Sequence, residues 1–176
     1  MRRITQERLR EVLRYSPMVG VFEWRVAGRR IRPGFLAGAV IGTGYVRITV
    51  DRVPYPAHQL AWLYMTGNWP PEEIDHRDGD RSNNAWKNLR LATEAQNSWN
   101  SKKKKNNTSG VKGVFFCNTT KKWVASFKMN GVMVYRKFFA TMEEASIAIR
   151  AARERLQGDF ANHGVHKFEQ EELDAG

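Results

Sequence analysis

The stretch that decides the fold runs from residue 74 to residue 100. It reads Ile74-Asp-His-Arg-Asp-Gly-Asp-Arg-Ser-Asn-Asn-Ala-Trp-Lys-Asn-Leu-Arg90 and then, two residues later, Thr93-Glu-Ala-Gln-Asn-Ser-Trp-Asn100. Asp75 and Asn97 carry side-chain oxygens of the kind that Mg²⁺ or Mn²⁺ prefers. His76 can accept a proton near neutral pH. A cation on a phosphate and a base that activates water are the minimum needed to hydrolyse a phosphodiester.

The spacing of these residues predicts a strand, a loop and a helix. Ile74 and Asp75 are expected to end a short strand, and residues 77–80 have the Gly and Asp typical of a turn. Residues 93–96 fit a capping box, so a helix is predicted to begin there. Asn97 then follows the first helical turn, where anionic phosphate is favoured. This order predicts that Asp75 and Asn97 lie close together. A polar turn with a surface histidine is the ordinary alternative for an isolated Asp-His pair.

These residues make the chain resemble the HNH homing-type endonucleases of phages and introns, which have a ββα-metal site. The resemblance spans roughly residues 5–105, and its matching residues are His58 in Ala-His-Gln-Leu-Ala-Trp, Asp75-His76, Asn83-Asn84, Asn88-Leu89-Arg90 and Asn97. It implies Asp75 and Asn97 as metal ligands, His76 as general base and Asn88 as the residue that orients the loop carrying His76. The last motif position is Asn rather than His, which is a variant of the pattern.

His58 has two possible roles. It is a candidate phosphate contact, and a structural histidine is an equally good interpretation.

Composition favours a polyanionic partner. The chain has 176 residues, a formal net charge of +11 and a sequence pI of about 10.1. One cysteine, Cys117, excludes an intrachain disulfide and a multi-cysteine zinc site. No signal-peptide pattern and no apolar run of transmembrane length is present, so we expect no membrane partner and a cytoplasmic protein. The resemblance to HNH homing-type endonucleases further implies that a phage or a mobile element encodes it and that it acts in a host cell. The oligomeric state, monomer or homodimer, stays open.

Charge and composition predict two modules. Residues 1–50 carry ten Lys or Arg against three acids, and residues 101–140 carry ten against none. The predicted nuclease domain, with an N-terminal α/β entry module, spans residues 1–101. A basic linker is predicted at 102–107, a DNA-binding domain at 108–162 and an acidic tail at 163–176.

Hydrophobic periodicity predicts the entry module. Helices are expected over 5–15 and 58–65, and strands over 21–26 and 42–50. The two prolines within residues 67–71 are expected to stop the second helix.

The second module reads as three antiparallel strands followed by one helix. The strands are predicted over 112–116, 122–128 and 132–138, and the helix from 141 to 157. On the middle strand, one set of side chains is predicted to face the helix and the alternate set to form a basic face that can enter a DNA major groove. The side chains predicted to face the helix are Trp123, Ala125 and Phe127. The side chains predicted to form the basic face are Lys122, Val124, Ser126 and Lys128.

This module resembles the ethylene-response-factor (Apetala-type) DNA-binding domain. The residues carrying the resemblance are Gly113-Val114, Lys122-Trp123-Val124-Ala125, Phe138-Phe139-Ala140-Thr141 and Glu143-Glu144-Ala145. It implies DNA-facing positions at Lys112, Phe115, Ser126, Lys128, Met133 and Tyr135. Further candidates for DNA contacts are Lys102, Lys103, Lys104, Lys105, Lys122, Arg136 and Lys137.

The sequence therefore predicts an α+β protein in which a ββα-metal HNH nuclease module precedes a three-stranded antiparallel sheet packed on one helix. The predicted function is a Mg²⁺- or Mn²⁺-dependent endonuclease that cuts double-stranded DNA, of homing type. Two alternatives stay open: a non-catalytic DNA-binding or regulatory protein on a nuclease scaffold, and an RNA-directed nuclease whose sheet aromatics stack on bases.

Overall fold

The structure, a computed structural model, describes residues 3–28, 31–100 and 107–164. The chain divides into two compact units, Met1–Ala92 and Thr93–Gly176. The fold class is α+β, as predicted. The helices are α1 Gln6–Val12, α2 Ala57–Thr66, α3 Glu94–Trp99 and α4 Met142–Gln157. The strands are β1 Leu13–Ser16, β2 Val21–Trp24, β3 Ala39–Val40, β4 Val46–Val50, β5 Val53–Pro56, β6 Glu73–His76, β7 Leu89–Ala92, β8 Val114–Cys117, β9 Lys122–Met129 and β10 Val132–Phe139.

Small antiparallel sheets and two helices build the first unit. β1 pairs with β2, β4 lies between β3 and β5, and β6 pairs with β7. Their apolar side chains form one core, because each short sheet has a face that it cannot bury alone. Four members of this core are 0% exposed, namely Leu9, Leu13, Leu60 and Ala61.

The first predicted helix ends earlier than expected. α1 stops at Val12, because Leu13–Ser16 pairs with Val21–Trp24 as a hairpin. Gly20 closes that hairpin with φ +77°, and a Cβ on it would lie 2.1 Å from the backbone nitrogen of Ala85. Only glycine allows both the left-handed backbone and this close approach. The short strands β3 and β5 were not predicted.

The predicted strand at residues 74–75 is present within β6. In its register with β7, Asp75 lies opposite Arg90 and His76 lies opposite Leu89. A 3₁₀ turn, Trp86–Asn88, leads into β7. The motif residues 75–90 therefore form a hairpin closed by a long polar loop.

The second unit begins with α3, which has the predicted capping box: the Thr93 hydroxyl accepts from the backbone of Gln96, and the Gln96 side chain accepts from the backbone of Thr93. Within this unit the Lys112 ammonium donates to the Trp99 carbonyl at 3.0 Å. The Asn162 amide donates to the Asn100 carbonyl at 3.2 Å. These hydrogen bonds connect α3 and the residue after it to the rest of the second unit, whereas the sequence predicts α3 within the nuclease domain.

The predicted three-stranded sheet and helix are present in the second unit. β9 lies between β8 and β10, and α4 carries a capping box at Thr141. Val114, Ala125, Phe127, Ala145, Ile149 and Ala152 form the core between the sheet and α4. The predicted linker lysines Lys102, Lys103, Lys104 and Lys105 lie outside the described residues, as does most of the predicted acidic tail.

Within the described part of the chain, no helix has the length and apolar character needed to cross a membrane.

Candidate active site and nucleic-acid interface

His76 ends β6 with a buried side chain, 3% exposed. Its Nε2 lies 3.2 Å from Oδ1 of Asn84, whose amide nitrogen donates to the Ser82 carbonyl at 2.9 Å. Because the Asn84 amide is directed at Ser82, its Oδ1 is the atom that faces His76, so Nε2 carries the proton of the neutral ring. Burial lowers the pKa of His76 below its ordinary value of 6.5, although Asn84 and nearby aspartates oppose that shift. Burial therefore favours the uncharged ring at neutral pH, and the contact with Asn84 favours the tautomer protonated at Nε2.

His58 does not fit the expected contact with phosphate. Its side chain is 8% exposed, and burial lowers its pKa to about 4, with the neighbouring His76 as a second cause. An uncharged, buried ring makes a poor phosphate ligand. The buried position of His58 agrees better with the other predicted role, that of a structural histidine.

Asp75 is held by a buried ion pair. Nε and Nη2 of Arg90 both donate to Oδ2 of Asp75, at 2.8 and 2.7 Å, and both side chains are more than nine-tenths buried. This pair follows directly from the register of β6 and β7. Among the described residues, no three His, Cys, Asp or Glu side chains form a cluster that could hold a metal ion. A carboxylate such as that of Asp75 is chemically suited to Mg²⁺, which keeps several waters and binds substrate phosphate.

Asn88 fixes the loop that follows His76. Its Oδ1 accepts from the backbone N–H of Asp78 at 3.0 Å, and its amide donates to Asp78 Oδ1 at 2.9 Å and to the Asn83 carbonyl at 2.8 Å. These three hydrogen bonds join the two ends of the loop. The Asn83 amide adds a bond to Asp78 Oδ2 at 2.7 Å. The geometry agrees with the loop-orienting role that the resemblance implied for Asn88.

Asn97 lies on α3, in the second unit, and its side chain is partly buried. Its backbone N–H donates to the Thr93 carbonyl at 2.9 Å, within the first turn of α3. Asn97 thus follows the first turn of α3, as predicted.

The face of the second unit's sheet that points away from α4 carries both cations and apolar side chains. Directly paired residues share a face of an antiparallel sheet. Phe115, Val124 and Phe138 lie opposite one another on the three strands and form an apolar row across the face. The neighbouring cross-strand pairs on the same face are Lys122 with Cys117, Ser126 with Arg136, and Lys128 with Met133. Phe115 and Phe138 are 44% and 46% exposed, whereas Val124 is fully buried. We call this surface the outer face. Lys122, Val124, Ser126 and Lys128 share this face as predicted, and the apolar row through Val124 crosses it.

Three predicted DNA contacts do not lie on the outer face. Lys112 directs its ammonium to the Trp99 carbonyl, and burial, followed by the charge of Arg153, lowers its pKa to about 8. Tyr135 stacks on Phe127 in the core below α4, with ring centroids 5.8 Å apart. A register shift between Met133 and Tyr135 places Tyr135 on that side. Lys137 pairs with Ala125 and so also lies on the helix side, although it is exposed.

Three residues at the site had no predicted role: Arg90, Asn84 and Tyr45. Arg90 and Asn84 belong to the motif, and an antiparallel register would have placed Arg90 opposite Asp75. The length of the intervening loop leaves that register undetermined in the sequence. Tyr45 lies far from the motif in sequence, and no pattern indicated it.

Residues 55–99 match the family described as HNH endonuclease. This range contains the His58, Asp75, His76, Asn88 and Asn97 positions, so an HNH endonuclease domain occupies this part of the chain.

Two relatives come from viruses. Protein 3.8 of Escherichia phage T7 is 39% identical over 105 residues, covering 59% of this chain and 86% of that protein. The uncharacterized HNH endonuclease L560 of Acanthamoeba polyphaga mimivirus is 36% identical over 123 residues, covering 69% of this chain and 63% of that protein. The match thus spans less than two thirds of L560. No solved structure matches the chain. The chain belongs to the family of phage T7 protein 3.8.

Removing the Asn88 side chain is expected to destabilise the protein. Asn88→Ala leaves the Asp78 N–H and the Asn83 carbonyl of a partly buried loop without their partner, so the free energy of unfolding should fall by about 2–4 kcal/mol. Urea titration followed by circular dichroism measures it. Lys87→Ala, an exposed neighbour on the same 3₁₀ turn, is the control and should change the value by less than about 0.5 kcal/mol. Equal effects of the two variants would contradict the role of Asn88.

Proposed function

We propose that this protein is a metal-dependent endonuclease that hydrolyses phosphodiester bonds in duplex DNA. The observation that carries the proposal is His76, a neutral and buried imidazole at the end of β6, beside a loop that Asn88 holds in place. The HNH endonuclease match over residues 55–99 supports the same class of reaction.

In this proposal His76 is the general base. With its proton on Nε2 and the Asn84 oxygen as acceptor, the ring receives the proton of an attacking water at Nδ1. Burial supports this role because it keeps the ring unprotonated at neutral pH. Asn84 then stabilises the orientation of the protonated ring through the same contact.

Asp75 and Asn97 are the proposed ligands of one divalent cation, Mg²⁺ or Mn²⁺. Such a cation, when bound, polarises the scissile phosphate and offsets charge on the leaving 3′ oxygen. Within the chain, Arg90 fixes the orientation of the Asp75 carboxylate through Oδ2. Removal of Arg90 would leave a buried carboxylate without its counter-charge.

The second unit is proposed to bind DNA with its outer face. Lys122, Lys128 and Arg136 supply positive charge on that face, and residues 107–140 contain no Asp or Glu. This arrangement suits phosphate contacts that position the nuclease without reading sequence. The homing-type role and action inside a host cell are further proposals, supported by the phage and viral relatives. A single active site would nick one strand unless two protomers assemble.

An RNA-directed nuclease is a second candidate, because Phe115 and Phe138 are exposed beside Arg136 on the outer face. Exposed aromatic rings on a sheet can stack on unpaired bases. Competition between duplex DNA and single-stranded RNA for the full chain separates the two candidates. Preferential binding and cutting of RNA would favour the second.

Cleavage should depend on the cation. Supercoiled plasmid is expected to be nicked in Mg²⁺ or Mn²⁺ and to stay intact in excess EDTA. Asp75→Asn should reduce nicking by about a hundredfold or more, because it removes the only formal charge among the ligands. Asn97→Ala should be milder and be partly rescued by more Mg²⁺.

Asp51→Asn is the matched control for the aspartate variant, because Asp51 also pairs with an arginine, Arg8, but on the exposed surface. It should nick at the rate of the unchanged protein. Full activity in EDTA would contradict the metal dependence.

Binding by the outer face should be salt-dependent. In a cleavage-deficient background, changing Lys122, Lys128 and Arg136 together to Ala should flatten the slope of log K against log salt by about 3, since each neutralised phosphate adds roughly 0.9. Fluorescence anisotropy with a labelled duplex measures the slope. Lys137→Ala, a cation on the other face of the same strand, should change it little. An unchanged slope in the triple variant would assign the second unit a different partner.

A further inference from the structure

Three aromatic rings meet around the proposed base. The centroid of His58 lies 5.2 Å from that of His76 with the ring planes at 83°, an edge-to-face contact. Tyr45 packs on both histidines, with its centroid 5.1 Å from His58 and 5.9 Å from His76. All three belong to the first unit. These distances lie in the range in which aromatic pairs attract one another. We call Tyr45, His58 and His76 the ring cluster.

Each ring of the cluster comes from a different element. His58 lies in the first turn of α2, His76 ends β6, and Tyr45 immediately precedes β4. The neighbours of His58 on α2, Leu60 and Ala61, are completely buried, so the helix backbone beneath the ring is firmly packed. The ring of His58 therefore rests on a well-packed part of α2.

The buried Nδ1 of His58 does not account for the presence of this residue. Its Nδ1 is buried and, among the described residues, has no hydrogen-bond partner. A buried polar atom without a partner destabilises a fold, and each such atom calls for an explanation. The low pKa of His58, about 4, keeps the ring uncharged at neutral pH. What His58 supplies to its neighbours is therefore a flat, neutral ring.

His76 needs such a ring. The contact between its Nε2 and Asn84 restrains one atom, and the side chains packed against the imidazole restrain its tilt about that point. A displacement of about 1 Å in a reacting group can lower a rate by about a hundredfold. Packing by His58 and Tyr45 restricts the tilt that the hydrogen bond leaves.

We propose that His58 is a positioning residue, whose ring, together with Tyr45, sets the orientation of His76 by packing and takes no part in proton transfer or phosphate binding. The activity part of this inference rests on the proposed nuclease function. The part that concerns the orientation of the His76 ring does not rest on that function, because ring orientation can be measured without cleavage.

Two substitutions of His58 in the full chain distinguish the effect of its ring from the effect of its nitrogen atoms. His58→Phe keeps a flat ring and removes both nitrogens, including the unpartnered Nδ1. Its single-turnover nicking rate and KM for plasmid should both stay within about threefold of those of the unchanged protein. His58→Ala removes the ring, and its nicking rate should fall by about tenfold to a hundredfold while KM changes by less than about threefold. A His58→Phe rate as low as that of His58→Ala, or a His58→Ala rate equal to that of the unchanged protein, would overturn the proposal.

The NMR signal of the His76 ring protons gives a readout besides activity. The chain has four histidines, and His76→Ala identifies the resonance. Ring currents from the cluster should shift it in the unchanged protein and at least as strongly in His58→Phe, because a phenyl ring has a larger ring current than an imidazole, and the shift should diminish in His58→Ala. If the unchanged protein fails to nick, the proposed function fails, and the resonance still decides the positioning role: an unaltered shift in His58→Ala would overturn it.

Circular dichroism shows whether His58→Ala is folded. If it is not, Tyr45→Leu and Tyr45→Phe replace it as the pair that removes or keeps a ring against His76. Tyr45→Leu should then lower the nicking rate and the shift, and Tyr45→Phe should keep both. Equal behaviour of these two variants would overturn the ring cluster as the positioning device.

Discussion

The Asn88 side chain is the constraint on which the rest of the site depends. The motif hairpin has a long polar loop, and loops of this kind are not held by strand pairing. Asn88 bonds the backbone of Asp78 near the start of the loop and the carbonyl of Asn83 near its end. The closed loop places Asn84 against His76, and the paired strands place Arg90 against Asp75. One carboxamide therefore links the geometry of the base to that of the proposed metal ligand.

Much of the fold was predictable because its signals are local. The capping box at residues 93–96 predicted the start of α3, and hydrophobic periodicity predicted α4 from residue 141. The helix predicted through Tyr15 was wrong beyond Val12. Its last residues enter a hairpin closed by Gly20, and that pairing overrides a helical spacing of apolar residues.

The site was predictable only in part. His76 and Asn88 were indicated by residue type and by resemblance, but their partners depend on long-range register. Arg90 opposite Asp75 requires the pairing of β6 and β7, and Tyr45 reaches His76 only through the tertiary fold. In the second unit, simple alternation failed at Tyr135 because an irregularity in β10 shifts the face of later residues. The resemblance implied that Lys112 faces DNA, yet its ammonium bonds a carbonyl of α3.

The central claim is that His76 is the general base of a DNA-cutting site. The most direct measurement is the single-turnover rate of plasmid nicking by His76→Ala at saturating Mg²⁺, beside its affinity for the same DNA. The account predicts a rate lower by about 10²–10⁴-fold, the usual contribution of acid–base catalysis, with nearly unchanged affinity. A variant that still nicks within about threefold of the unchanged protein would contradict it.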